Sequence, residues 1–141
     1  MSLPPDAIIN GEITALFDEV AAAFGALDLA RFLRCYRLPS LAVTADRIGV
    51  LDTDEAFASY FQPAMDRLRA LGFARSVHAG MRIHRQGSRL ALASMRWTRY
   101  RADGGEIEQL GATYSVHHDT DGWKIVMLTA HAIDGVLPTA S

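Results

Sequence analysis

Few residues of this sequence have the type and spacing for chemistry. There are five histidines and one cysteine. His78 and His84 stand six apart in a strand-like stretch, roughly 20 Å at the usual rise, too far to share an ion. His117 and His118 are adjacent and would point to opposite faces of a strand. No cysteine joins them, so zinc-type spacing is absent and no metal is expected. Cys35 has no evident histidine partner and reads as a small buried hydrophobe. No glycine-rich loop precedes a helix, which argues against nucleotide binding, and no cofactor is implied. The acids have plain assignments: Asp28, Asp52 and Glu55 suit helix caps, Asp103, Asp119 and Asp121 suit turns, and Asp18, Glu19 and Asp66 fall off the apolar stripes. Asp46 alone could approach a pocket, and a turn is its simpler role.

What is left is a polar minority among apolar strand residues. His131 is the best candidate general acid or base, since its charge is easily tuned near neutrality. Tyr114 could orient a carbonyl or hydroxyl. Trp97, Tyr60 and Met81 would supply apolar surface beside them. A hydrogen-bonded histidine at a strand end and a satisfied core tyrosine are the plainer alternatives.

The elements that must position these residues follow from periodicity. Ile9, Ile13, Leu16, Phe17, Val20 and Phe24 make one stripe of a helix over 6–24, with Gly25 as a stop. Asp28 caps a second helix carrying Leu29, Phe32, Leu33 and Tyr36, which Pro39 is expected to end. Residues 40–51 read as a short hairpin, or as a strand plus an extended segment. Asp52 and Glu55, spaced as a capping box, are expected to open a third helix bearing Phe57, Tyr60, Phe61, Ala64, Met65, Leu68 and Leu71, with Gly72 as a stop. A kink or a break is expected near Tyr60 or Phe61 because Pro63 falls within it.

From Phe73 to His131 four strands are expected, joined at Gln86-Gly87, at 102–105 and at 120–122, where Gly and Asp suit tight connections. Antiparallel pairing places Val77 near Trp97, Ala93 near Tyr114 and Tyr114 near Met127. One face then collects Val77, Ala79, Met81 and Ile83 from the first strand and Ala93, Met95 and Trp97 from the second. Leu110, Ala112, Tyr114 and Val116 follow from the third, and Ile125, Met127, Thr129 and His131 from the fourth. That face should lie under the helices. The other carries His78, Arg82, Leu90, Leu92, Arg96, Val126 and Leu128. Its mixture of aliphatics, arginines and small hydroxyls suits packing against a second copy through Leu90, Leu92, Arg96, Val126 and Leu128. A solvated face with scattered aliphatics is the alternative. A one-residue bulge would exchange the two lists locally.

The bulk numbers exclude several classes. The 141 residues suit one domain spanning 1–141, with an ordered core over about 6–134. A net charge of −2 offers no general attraction to nucleic acid or anionic membrane. No run approaches the roughly 18 apolar residues of a membrane span. MSLPPDAII lacks a basic n-region, and a lone cysteine suits a reducing compartment, so a cytoplasmic location is expected.

The order of three helices followed by a long antiparallel sheet resembles the cone-shaped nuclear-transport-factor-2-like, or SnoaL-like, superfamily. FDEVAAAFGALDLARFLRCY looks like its first two helices and the turn between them. MRWTRYRADGG and HDTDGWKIVMLTAH look like its closing meander. The resemblance implies an α+β fold with three N-terminal helices on a curved, mostly antiparallel, cystatin-like sheet. It also implies a homodimer through sheet faces and a pocket between helices and concave sheet. Members range from isomerases and cyclases to pure binding proteins, and fold analogy does not choose among them. The isomerases and cyclases use a carboxylate inside the cone, where no acid of this chain is expected. The epoxide-hydrolase pattern of an arginine flanked by two aspartates finds no match, so no catalytic residue carries over. The expectation is a small-molecule-binding protein with Trp97, Tyr114, His131, Tyr60 and Met81 at its pocket. An isomerase or cyclase-like enzyme using His131 or Tyr114, and a structural module with a filled cone, are the alternatives.

Overall fold

The stripe of Ile13, Phe17, Val20 and Phe24 forms the buried side of α1 (Pro5–Gly25) in the computed structural model, which describes residues 5–138. The chain continues as α2 (Leu29–Leu33), β1 (Tyr36–Val43), β2 (Ile48–Leu51) and α3 (Asp54–Ala70). Four long strands follow: β3 (Phe73–Arg85), β4 (Leu90–Arg101), β5 (Glu106–Asp119) and β6 (Gly122–His131), then a 3-10 turn over Ile133–Gly135. The strands make one sheet in the order β2-β1-β6-β5-β4-β3, with β1 and β6 parallel and all other neighbours antiparallel. The helices cover one face of it. No helix of the described residues is long and apolar enough to cross a membrane.

Asp28 caps α2 as expected, accepting from Arg31 N at 3.0 Å. The helix then stops at Leu33, and Tyr36 opens β1, which runs through Pro39 instead of ending there. β1 meets β6 at Tyr36 and again only from Leu41. Proline, which has no N–H to give, is tolerated in that gap in the ladder. At α3 the cap is Thr53 in place of Asp52: its hydroxyl accepts from Ala56 N at 3.0 Å. α3 runs unbroken past Pro63, which lies on its exposed side.

The two faces of the sheet follow the expected alternation on β4 and β5. Ala93, Met95, Trp97, Ala112, Tyr114 and Val116 are all buried toward the helices. On the flanking strands two irregularities reverse it. β3 takes three steps, from Ala79 to Arg82, against two on β4, from Arg96 to Ser94, and Gly80 in this bulge has a φ of +68°. Before this bulge His78 pairs with Trp97, and Val77 pairs with Thr98 on the outer face. After it Ile83 pairs with Ala93 and lies on the face expected of it, although the expected register had placed it opposite Ala91. β6 carries an extra residue, Val126, between the pairs Val116–Ile125 and Ser115–Met127. Tyr114 therefore opposes Leu128, not Met127, and Met127, Thr129 and His131 turn outward.

Candidate functional site

Between helices and sheet lies a cavity of about 230 Å³. It exists because small side chains face one another across the two layers: Ala64 of α3 opposite Ser76, Ala112 and Ala130 of the strands. Interiors are otherwise close-packed, so a cluster of alanines at facing positions leaves room. Large rings stiffen the wall. Phe32, Tyr36, Phe57 and Phe61 meet with ring centroids 4.7 to 5.8 Å apart. Phe17 lies 4.6 Å from Tyr114 behind it.

The polar groups bordering this cavity are few. Trp97 Nε1 donates to the Tyr114 hydroxyl at 2.8 Å, and both residues are buried. Burial pushes the Tyr114 phenol far above its ordinary range despite that donor, and burial does the same to Tyr36. Both stay neutral, and Tyr114 serves as a hydrogen-bond acceptor for Trp97, not as a base. Tyr60 is seated by a close approach: a Cβ at Gly49 would fall 2.6 Å from its ring. The Arg47 guanidinium stacks over the same ring, 4.5 Å from the centroid.

Among the described residues Arg99 is the one charged residue at the cavity wall. Its Cζ lies 5.0 Å from the centre of the Phe24 ring, and its Nη1 donates to Glu108 Oε1 at 2.7 Å. Arg67 donates to the same oxygen, also at 2.7 Å. Burial works against the Glu108 charge, but the hydrogen bonds from Arg67 and Arg99 outweigh it and hold the carboxyl below its ordinary range. Side-chain exposure rises from 17% at Arg99 through 31% at Glu108 to 51% at Arg67, so this chain of charges leads from the cavity wall to solvent. Arg99 Nε is buried without a hydrogen-bond partner.

Of the five residues expected at a pocket, Trp97, Tyr114 and Tyr60 border the cavity. Met81 does not; it packs against α1, with its Sδ 3.8 Å from Thr14 Oγ1. His131 lies on the opposite face of the sheet, because the Val126 bulge inverts the end of β6. Its Nδ1 donates to the Ala132 carbonyl at 2.7 Å, which leaves Nε2 as the acceptor for Thr113 Oγ1 at 2.8 Å. Thr113 in turn takes the Ser94 hydroxyl at 2.9 Å, and Ser94 accepts from Leu137 N at 3.0 Å. This is a closed relay that fastens the C-terminal segment across the sheet. His78 does not share the outer face with Arg82 and Arg96 either. His78 faces the helices, with Nε2 2.8 Å from Asp18 Oδ1. Asp46 is exposed in the β1–β2 turn, its N–H on Thr44 Oγ1 at 3.3 Å. Cys35 is buried, and burial raises its thiol to about 11. Among the described residues no three His, Cys, Asp or Glu side chains converge as metal ligands.

The residue that sequence reasoning passed over is Arg99. Its signal was present: two positions beyond Trp97 on one strand, it shares Trp97's face.

A model of the family described as NTF2-like protein (DUF6841) matches residues 11–133. The chain belongs to this NTF2-like family. No curated protein matches the sequence. Among solved structures, a protein of unknown function with a cystatin-like fold from Nostoc punctiforme is 15% identical with a TM-score of 0.74, covering 99% of this chain and 97% of that one. An NTF2-like protein with a cystatin-like fold from Novosphingobium aromaticivorans is 15% identical with a TM-score of 0.75, over 92% and 84% of the two chains. An NTF2-like superfamily protein from Salmonella enterica serovar Typhimurium is 16% identical with a TM-score of 0.68, over 96% of both chains. Likeness at this level establishes the cystatin-like α+β fold.

Proposed function

We propose that this NTF2-like protein binds a small, largely apolar molecule in the cavity between its helices and sheet. The observation that carries the reading is the cavity itself: about 230 Å³, walled by aromatic rings and alanines with a few hydrogen-bonding groups. A pocket of ~150 Å³ holds benzene. The present volume therefore suits a one- or two-ring compound. The wall carries no Asp, Glu or His, and its buried tyrosines are held neutral. That favours binding over an isomerase-like proton abstraction, which needs a base within reach of the substrate.

The test is an NMR titration with naphthalene that follows the Trp97 indole N–H, with the Trp123 indole as internal reference. Binding should move the Trp97 signal alone, and Ala64→Phe, which fills the cavity from α3, should abolish the movement in a folded protein. An unmoved Trp97 signal, or an Ala64→Phe protein that binds as the parent does, would defeat the reading.

The outer sheet face supports a second part of the proposal, a homodimer. Leu90 is 46% exposed there on β4, and Val50 at 59% and Ile48 at 70% are exposed on β2 at the sheet edge, with three strands between. Leu92 and Arg96 share the face through their pairs with Ser115 and Gly111, while Leu128 is excluded because it faces the cavity. Leu90→Arg should turn a dimer into a folded monomer in light scattering; an unchanged mass would place the contact elsewhere.

A further inference from the structure

We infer that the molecule held in the cavity is a one- or two-ring monocarboxylate and that Arg99 receives its carboxylate; this rests on the cavity being a binding site. Arg67 and Arg99 share a single oxygen of Glu108, so two cations face one anion at the cavity's outer end. Glu108 engages only Nη1 of Arg99, and Nε is buried with no acceptor. A buried donor on a charged group is costly to leave unmade. The Nε edge of a guanidinium is a planar fork that matches a carboxylate with two parallel hydrogen bonds. Stacking on Phe24 holds the plane of that fork at the wall. The other polar side chains there, Ser76 and the three tyrosines, can all donate, and none is an anion. The rest of the wall is aromatic rings, aliphatics and alanines with uncharged hydroxyls, where a second charge would be buried without a charged partner. One charge at one end and an apolar body of at most two rings is the shape that fits.

The experiment compares 2-naphthoate with 2-naphthamide, its neutral match in shape, by the same Trp97 signal. Charge-assisted hydrogen bonds are about twice as strong as neutral ones, so the parent protein should bind the naphthoate about tenfold more tightly or better. In Arg99→Met the naphthoate should lose that advantage, with naphthalene affinity little changed. Equal affinities in the parent protein overturn the carboxylate assignment while naphthalene binding keeps the cavity reading intact, and that comparison stands whatever Arg99→Met does to folding. A preference that survives in folded Arg99→Met removes Arg99 from the role. If none of the three probes moves the Trp97 signal, the cavity reading and this inference fall together.

Discussion

Tyr114→Phe isolates one hydrogen bond between two buried rings. The substitution keeps the ring and its 4.6 Å contact with Phe17, so little packing is lost. What goes is the acceptor for Trp97 Nε1, at 2.8 Å in the folded protein. A buried donor left without a partner costs about 1–3 kcal/mol. Both residues border the cavity, so water can reach the indole, and the lower half of that range is expected. At about 2.1 cal/mol/K per residue the unfolding entropy of this chain is about 0.3 kcal/mol/K, so the melting temperature should fall by roughly 3–7 °C. Urea unfolding of Tyr114→Phe, Trp97→Phe and the double variant gives the coupling directly. Removing both partners should cost less than the sum of the single losses, by about 1 kcal/mol. A Tyr114→Phe protein as stable as its parent, or additive losses in the cycle, would mean that the pair contributes nothing and that the rigid wall is held by packing alone.

Gly49→Ala puts a methyl group 2.6 Å from the Tyr60 ring, so the ring must leave its seat; overpacking of this kind costs about 1–3 kcal/mol, and naphthalene binding should weaken with it. Hydrogen exchange would read Ser94→Ala: the Leu137 amide loses its acceptor and should exchange faster, while naphthalene affinity holds, because the Ser94–Thr113–His131 relay lies on the other face. His131→Ala should likewise leave the Trp97 titration unchanged. Cys35 gives a pH dependence whose sign follows from burial. The thiol titrates at about 11 in the folded protein against 9.0 ordinarily, so its contribution is complete below pH 9. As pH rises from 9 to 11 the unfolded chain releases the proton first, and stability falls. Urea midpoints across that range should drop more steeply for the parent than for Cys35→Ala.

The central strands were legible in the sequence because β4 and β5 pair without interruption from Leu90–His117 to Arg99–Glu108. Over that span a strict alternation of side chains predicts the large buried apolar positions, and Trp97 and Tyr114 fall where expected, although Ser94 and Thr98 on the outer face are buried as well. The outer parts were not legible for one physical reason. A bulge adds one residue and so reverses the parity of everything beyond it. Gly80 carries a visible hint, a glycine inside a strand pattern, and it exchanges His78 with Val77. Val126 carries none: it sits in an unbroken run of strand formers, and its extra step alone takes His131 from the cavity side to the outer face. Helix limits failed more locally, where a hydroxyl one residue along capped α3 and where a proline found a gap in a ladder.

The loss of His131 from the site changes the chemistry that can be asked of this fold. With a histidine in the cone, proton transfer would be the natural reading; with Arg99 in its place, the wall offers donors and a positive charge. The exchange follows from the same parity argument in both directions. Arg99 lies on the uninterrupted part of β4, before any irregularity reaches that strand, so its side is set by Trp97 two residues earlier. An arginine on a buried face needs a partner, and Glu108, paired with it across β5, supplies one while leaving Nε unmet. A charge carried into an apolar wall and only partly answered there is what would be expected if the last partner arrives with the ligand.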